Sequence, residues 1–236
     1  MSDEEALPYR FGIETGGQYE VHNFGFSGYG THQMLAALET GLVDSIIDCN
    51  PKHVVYQGGY FHIPRAAGLS SWDKEGPYFE VVSADSVEYR GGFDEQEEPD
   101  DVFSVLIDWT GLDSLISGLH RPPDGRDYDR VVGILENSRR YVEENYPDAE
   151  FHVLFMDDKR RGPIPFYAFA WSRPSLPETL GERGFHVLHL NEALPDFEEQ
   201  PEQYRIHAEE GHPNAMAQAL IARYLAAELT HSTPAH

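Results

Sequence analysis

Residues 53–61 read HVVYQGGYF, an apolar run that ends in a glycine pair and a Tyr-Phe step and is followed by His62 and Arg65. A run that is apolar on both faces fits a strand covered by helices on each side, the condition of a parallel sheet. Three further runs share this character: 19–26 (YEVHNFGF), 150–156 (EFHVLFM) and 184–190 (GFHVLHL). Helical periodicity fills the intervals. Residues 31–47 carry Met34, Leu35, Leu38, Leu42, Val43, Ile46 and Ile47 at i, i+3, i+4 spacing, with Thr31 placed as the N-cap. Residues 127–145 repeat the pattern with Val131, Ile134, Leu135, Tyr141 and Val142 ahead of Pro147. A last helix is predicted over 213–229, with Pro213 in its first turn, where the missing N–H would be unpaired in any case. A further helix is predicted over 100–120, after an acidic loop at 94–101. One stretch departs from the alternation: 76–93, GPYFEVVSADSVEYRGGF, predicts a β-hairpin turning at Ser-Ala-Asp-Ser. The resulting order predicts a three-layer α/β fold, a single domain over 1–236 with 230–236 as a disordered tail.

Charge narrows the partners. The 236 residues hold 41 Asp+Glu against 17 Lys+Arg, a net −24, and the cations are 14 Arg and 3 Lys. Nucleic acid and anionic membranes would repel such a chain, so neither is expected as a partner. Hydrophobic residues still reach 40% and aromatics 12%, enough material for a core. The acidity reads either as a well-solvated surface or as adaptation to high salt, and GC-rich coding also favours Arg over Lys. The single cysteine, Cys49, excludes an internal disulfide; at the end of a helical pattern it is expected to be inert core. No apolar run approaches the roughly 20 residues that span a bilayer. The opening MSDEEALPYRFG lacks a signal-peptide core, so the sequence as it stands predicts a cytoplasmic protein.

In open α/β sheets ligands bind beyond the carboxyl ends of the strands, and three segments are predicted there. In the first, 23–31 (NFGFSGYGT), Asn23 closes a strand and three glycines turn the chain into a helix start. The N–H groups of Gly28, Tyr29, Gly30 and Thr31 would point into the site at the positive helix end, which suits an oxyanion hole. The spacing matches neither a dinucleotide fingerprint nor a P-loop. The second segment delivers His62 and Arg65 to the same edge, Arg65 as a support for His62 or as an anchor for an anionic substrate. In the third, His212 stands immediately before the last helix, with Glu209 and Glu210 three and two residues earlier. A carboxylate there can hold the ring's tautomer and stabilise the imidazolium of a general base. His186 and His189 lie three apart on a strand and face opposite sides. With Cys49 isolated as well, no metal-ligand spacing is found, and no metal or cofactor is predicted.

The blocks NFGFSGYGTHQ (23–33), VVYQGGYFHIPRAAG (54–68) and EEGHPNAMAQALIA (209–222), in this order, resemble the SGNH (GDSL-type) hydrolases, esterases and acyl hydrolases. The resemblance implies a flavodoxin-like αβα sandwich with strand order 2-1-3-4-5. It implies a serine nucleophile, a glycine and an asparagine in the oxyanion hole, and a histidine base with an acidic partner. The glycine falls on Gly28 and the base on His212, with Glu210 or Glu209 as the acid where relatives usually carry Asp. His62 stands where the asparagine is expected, as an N–H donor, and Asn23, Tyr29 and Arg65 are placed against the substrate. The family's Gly-Asp-Ser block is absent from the sequence. Ser27, in Gly25-Phe-Ser-Gly-Tyr29, does not replace it, because G-x-S-x-G requires glycine at 29. By this resemblance the chain begins just after the serine, one strand late, and any signal peptide would be lost with that strand. Without the central strand, 19–26 and 53–61 either pair directly or leave backbone groups unpaired at about 1–3 kcal/mol per buried group. A poorly stable, aggregation-prone chain is therefore expected. The implied function is hydrolysis of a small-molecule ester without a cofactor, the chain itself lacking the serine. The alternative is a degenerate, non-catalytic member that binds an acyl or glycan group or a protein partner.

Overall fold

In the computed structural model, residues 2–70, 72–96, 123–156, 174–197, 199–206 and 212–231 are described. They form α1 (Leu7–Glu14), α2 (Thr31–Glu39), β1 (His53–Gly59), α3 (His62–Ala66), β2 (Pro77–Ser83) and β3 (Ser86–Gly92). Then follow α4 (Gly125–Asn145), β4 (Glu150–Met156), α5 (Leu176–Glu182), β5 (His186–His189) and α6 (Ala215–His231). A parallel sheet has the order β1-β4-β5, and β2 and β3 form a separate antiparallel pair. The fold is thus mixed α/β. Among the described residues no helix is long and apolar enough to cross a membrane.

The central position of β4 explains its sequence: five consecutive residues, Phe151 to Phe155, are buried. β1, at the edge of the sheet among the described residues, leaves Val55 and Gln57 exposed. The hairpin turns at Ala84-Asp85, as its Ser-Ala-Asp-Ser spacing predicts, and pairs Phe79 with Tyr89. Its register sets Glu80 opposite Glu88, a repulsive pair that Arg90 offsets by binding both carboxylates.

The chain packs as two compact units. The first comprises Met1–Gly25, Leu154–Asp157 and Val187–His236. There α1 lies on α6, and Leu7 and Phe11 pack on a core of Leu188, Leu190, Ile221 and Leu225. The second comprises Phe26–Val153 and Asp158–His186. Its long helix α4 packs on α2, α3 and the hairpin through Val131, Ile134, Leu135 and neighbouring apolar residues. Gly133 sets the closeness of that contact, since a Cβ there would stand 2.7 Å from the Val87 Cγ1. Asp124 caps α4, accepting from Arg126 N–H at 2.7 Å, while Asp127 reaches back to Asp124 N–H at 2.9 Å.

Several expectations are corrected. Residues 19–26 carry no strand. A strand persists only where a neighbour completes its ladder, and instead Asn23 Oδ1 accepts the Gly25 N–H at 3.0 Å in a local turn. Helix α2 stops at Glu39 rather than 47: Gly41, at φ 71°, closes it with bonds from Gly41 N–H to Leu38 O and from Leu42 N–H to Ala37 O, both 3.0 Å. Leu42 and Ile46, predicted on its apolar stripe, lie beyond it, 49% and 53% exposed. Thr31 is the first helical residue and Gly30 the N-cap. Cys49 is exposed, not core. β5 is shorter than its apolar run. The last helix begins at Ala215, because Asn214 caps it, accepting from Ala217 N–H at 3.0 Å, while Pro213 bridges to Arg205 outside it. It continues to His231, so residues 230 and 231 are helical rather than tail. The helix predicted over 100–120 lies outside the described residues.

Candidate functional site

Side chains alternate along β1, so Tyr56 and Gly58 share a face. A Cβ on Gly58 would collide with the Tyr56 hydroxyl; its absence lets the Tyr56 ring lie across the strand and hydrogen-bond His62 Nδ1. His62 opens α3 and is only 7% exposed. Burial first, then the Arg65 cation and His32, push its pKa down to about 3, and burial raises the Tyr56 phenol. At neutral pH the pair is therefore uncharged. With the Tyr56 O–H donating to Nδ1, the ring hydrogen stands on Nε2, the tautomer that an N–H donor needs. Gly58→Val is expected to displace Tyr56, separate the pair and destabilise the unit by about 2 kcal/mol, from a buried group left unpaired plus overpacking. Urea melts would measure this, and a change below 0.5 kcal/mol, on the order of an indifferent surface substitution, would refute it.

The glycine turn before α2 is held from several sides. Gly28 has φ 84°, and a Cβ there would come 3.0 Å from the Trp72 indole nitrogen, so both backbone and space favour glycine. Tyr29 N–H donates to Phe26 O at 3.1 Å, and Gly30 N–H to Gln33 Oε1 at 2.6 Å. Gln33 in turn donates through Nε2 to Asp73, whose Oδ2 also bonds His32 Nε2 at 2.7 Å. His32 is fully buried, and burial outweighs Asp73 in lowering its pKa, so its ring is neutral, with Nδ1 unpartnered. Arg65 donates to Tyr29 O at 2.7 Å, its guanidinium lying over Phe61 and Trp72. Two of the four N–H groups expected to face a ligand, those of Tyr29 and Gly30, are thus committed to internal bonds. Among the described residues the Gly28 N–H takes no partner.

Gly28, Tyr29, His62 and Arg65 therefore fall in one unit, joined by the Arg65–Tyr29 bond. Arg65 acts there as a strut for the turn. Asn23 lies in the other unit, exposed and turned to its own backbone. His212 is exposed in that same unit, its carbonyl accepting from Ile206 N–H at 3.1 Å. Asn214 fastens the segment by donating to Gln203 O and Arg205 O at 2.7 and 3.1 Å. Glu209 and Glu210 lie outside the described residues.

The sequence pattern assigns no role to Tyr56, Asp73 or Trp72, nor to His32 and Gln33 at the end of the 23–33 block. The glycine at 58, two residues after Tyr56, was the available signal for the first; the His32–Asp73 pair spans 41 residues and leaves no local pattern. Spacing also found no metal set, yet the sheet brings His53, Glu150 and His152 within reach of one another. Comparison of the chain with protein-family models, with curated proteins and with solved structures finds no match.

Proposed function

We propose that the chain is the scaffold of an SGNH-type ester hydrolase, with Gly28 as an oxyanion donor and His212 as the base. The observation that carries this reading is the Gly28 turn, locked by Arg65, Gln33 and Asp73 while its own N–H stays uncommitted. A donor fixed beforehand at a helix N-terminus stabilises developing negative charge without reorganisation. The order β1-β4-β5 supports a flavodoxin-like sheet, being the 3-4-5 part of 2-1-3-4-5. His62, neutral and oriented by Tyr56, suits a second N–H donor. A serine hydroxyl would lose its proton to His212, oriented by Glu209 or Glu210, and attack the ester carbonyl. Gly28, the serine N–H and His62 would hold the oxyanion, and water would then release the acid.

The sequence contains no Gly-Asp-Ser, so the chain by itself is expected to be inactive. Joined behind a strand ending in Gly-Asp-Ser, it should hydrolyse a short p-nitrophenyl ester, and a Gly-Asp-Ala version should not. His212→Ala in the active form is expected to lower kcat by about 1,000-fold or more. Turnover that survives His212→Ala would remove this mechanism, and a folded but inactive Gly-Asp-Ser form would favour a non-catalytic binding role.

A further inference from the structure

Parallel strands in the order β1-β4-β5 set their starting residues side by side. His53 opens β1, Glu150 and His152 are the first and third residues of β4, and His186 opens β5. The period of two puts Glu150 and His152 on one face. His53 Nδ1 stands 3.1 Å from His152 Nε2. Glu150 Oε2 stands 3.7 Å from the first nitrogen and 3.5 Å from the second. The three donor atoms form a nearly equilateral triangle.

Hydrogen bonding accounts for one side of this triangle and not for the other two. A carboxylate paired with an imidazole closes to about 2.7–2.9 Å, and the Glu150 side chain, 55% exposed, is not held back by packing. A tetrahedral ion with bonds of about 2.0–2.2 Å places its ligand atoms about 3.3–3.6 Å apart, close to the spacing here. The geometry points to a binding site for a divalent transition-metal ion of the Zn²⁺ type, held by His53 Nδ1, His152 Nε2 and Glu150 Oε2.

Two imidazoles and one carboxylate are a borderline donor set, suited to Zn²⁺, Co²⁺ or Ni²⁺ and poorly to Mg²⁺ or Ca²⁺. Burial lowers the pKa of both rings, keeping the lone pairs that a metal needs. His152 is fully buried, and its other nitrogen, Nδ1, meets His186 Nδ1 at 2.8 Å. His186 is thus a positioning residue that fixes the tautomer and orientation of the central ligand. The fourth coordination position is left for water. The ion would tie the start of β1 to the start of β4, and the net charge of −24 would favour its capture.

The test is calorimetric titration of Zn²⁺ into chelator-stripped, untagged full chain, with Co²⁺ absorption as a second readout. One saturable site and tetrahedral Co²⁺ bands are expected. Glu150→Gln, an exposed and shape-preserving change, and His53→Gln should each weaken binding at least tenfold, His186→Gln about tenfold, and His189→Gln not at all. Absence of a saturable site would overturn the assignment. So would a Kd and a Co²⁺ spectrum unchanged in both Glu150→Gln and His53→Gln, since the remaining histidines would then be the ligands.

Discussion

Asp127→Ala is expected to cost about 3–5 kcal/mol of stability, the usual consequence of stranding one partner of a buried ion pair. Asp127 is fully buried, and Arg130 is 8% exposed. The carboxylate accepts from Arg130 Nη1 at 2.8 Å and, through its other oxygen, from the Asp124 N–H at 2.9 Å. Arg130 in turn donates through Nε to the Phe79 carbonyl at 2.9 Å, with its guanidinium over Tyr78. Removing the carboxylate leaves the cation without its counter-charge at the positive end of α4, where the helix dipole already disfavours it, and undoes the cap as well. Hairpin and helix are joined through this arginine, so the loss would be felt in both. The midpoint of thermal unfolding should fall by roughly 10 °C. Asp127→Asn, which keeps an acceptor but no charge, should lie between. Arg130→Met in the Asp127→Ala background should recover part of the loss, because it removes the stranded charge. A loss under 1 kcal/mol for Asp127→Ala would mean that water reaches the pair.

The fold was legible where a segment's own pattern matched its surroundings. β4 reads to the residue because a central parallel strand is buried on both faces and nothing in EFHVLFM competes. The hairpin declares itself by alternation and by its turn. The end of α2 is obscured in the sequence although Thr40-Gly41 carries the terminating signal, since the apolar spacing beyond it continues to look helical. Residues 19–26 show the opposite limit: a strand-like run becomes a strand only if a partner completes it, which no local pattern reveals. The candidate site was legible in part. Gly28, Tyr29, His62 and Arg65 stand out by residue type at turn and strand ends; they fall in one unit, where Arg65 bonds the Tyr29 carbonyl. The support of the glycine turn comes from a distant position, Asp73 holding His32 and Gln33 across about 40 residues, and in the separate histidine cluster His152 meets His53 across 99. Only the register of the assembled sheet and the path of the loop make those contacts.

A steep loss of stability between pH 7 and pH 5 is the second large effect expected. His62 has its pKa lowered from 6.5 to about 3, chiefly by burial, with Arg65 and His32 adding repulsion, and burial also lowers that of His32. The groups facing His62 are Tyr56, whose phenol stays neutral in this range, Arg65, which stays charged, and His32. A histidine with a depressed folded pKa is protonated first in the unfolded chain. The unfolded state then binds more protons, and stability rises with pH. The contribution is fully present above about pH 6.5 and is lost progressively as the pH falls towards 3. At pH 5 His62 alone accounts for about 2 kcal/mol, and His32 acts in the same direction. Burial raises the Glu39 carboxyl, which acts in the opposite direction. Urea midpoints from pH 7.5 to 5, taken with a chelator so that no bound cation holds other histidines neutral, should show the decline. The Tyr56→Phe, His62→Leu double variant replaces a hydrogen-bonded pair by an apolar one and removes this proton linkage, so its decline should be shallower by about 2 kcal/mol. An identical slope in the double variant would mean that His62 takes up its proton as readily in the folded chain as in the unfolded one, and the neutral, Tyr56-oriented ring that the oxyanion role requires would go with it.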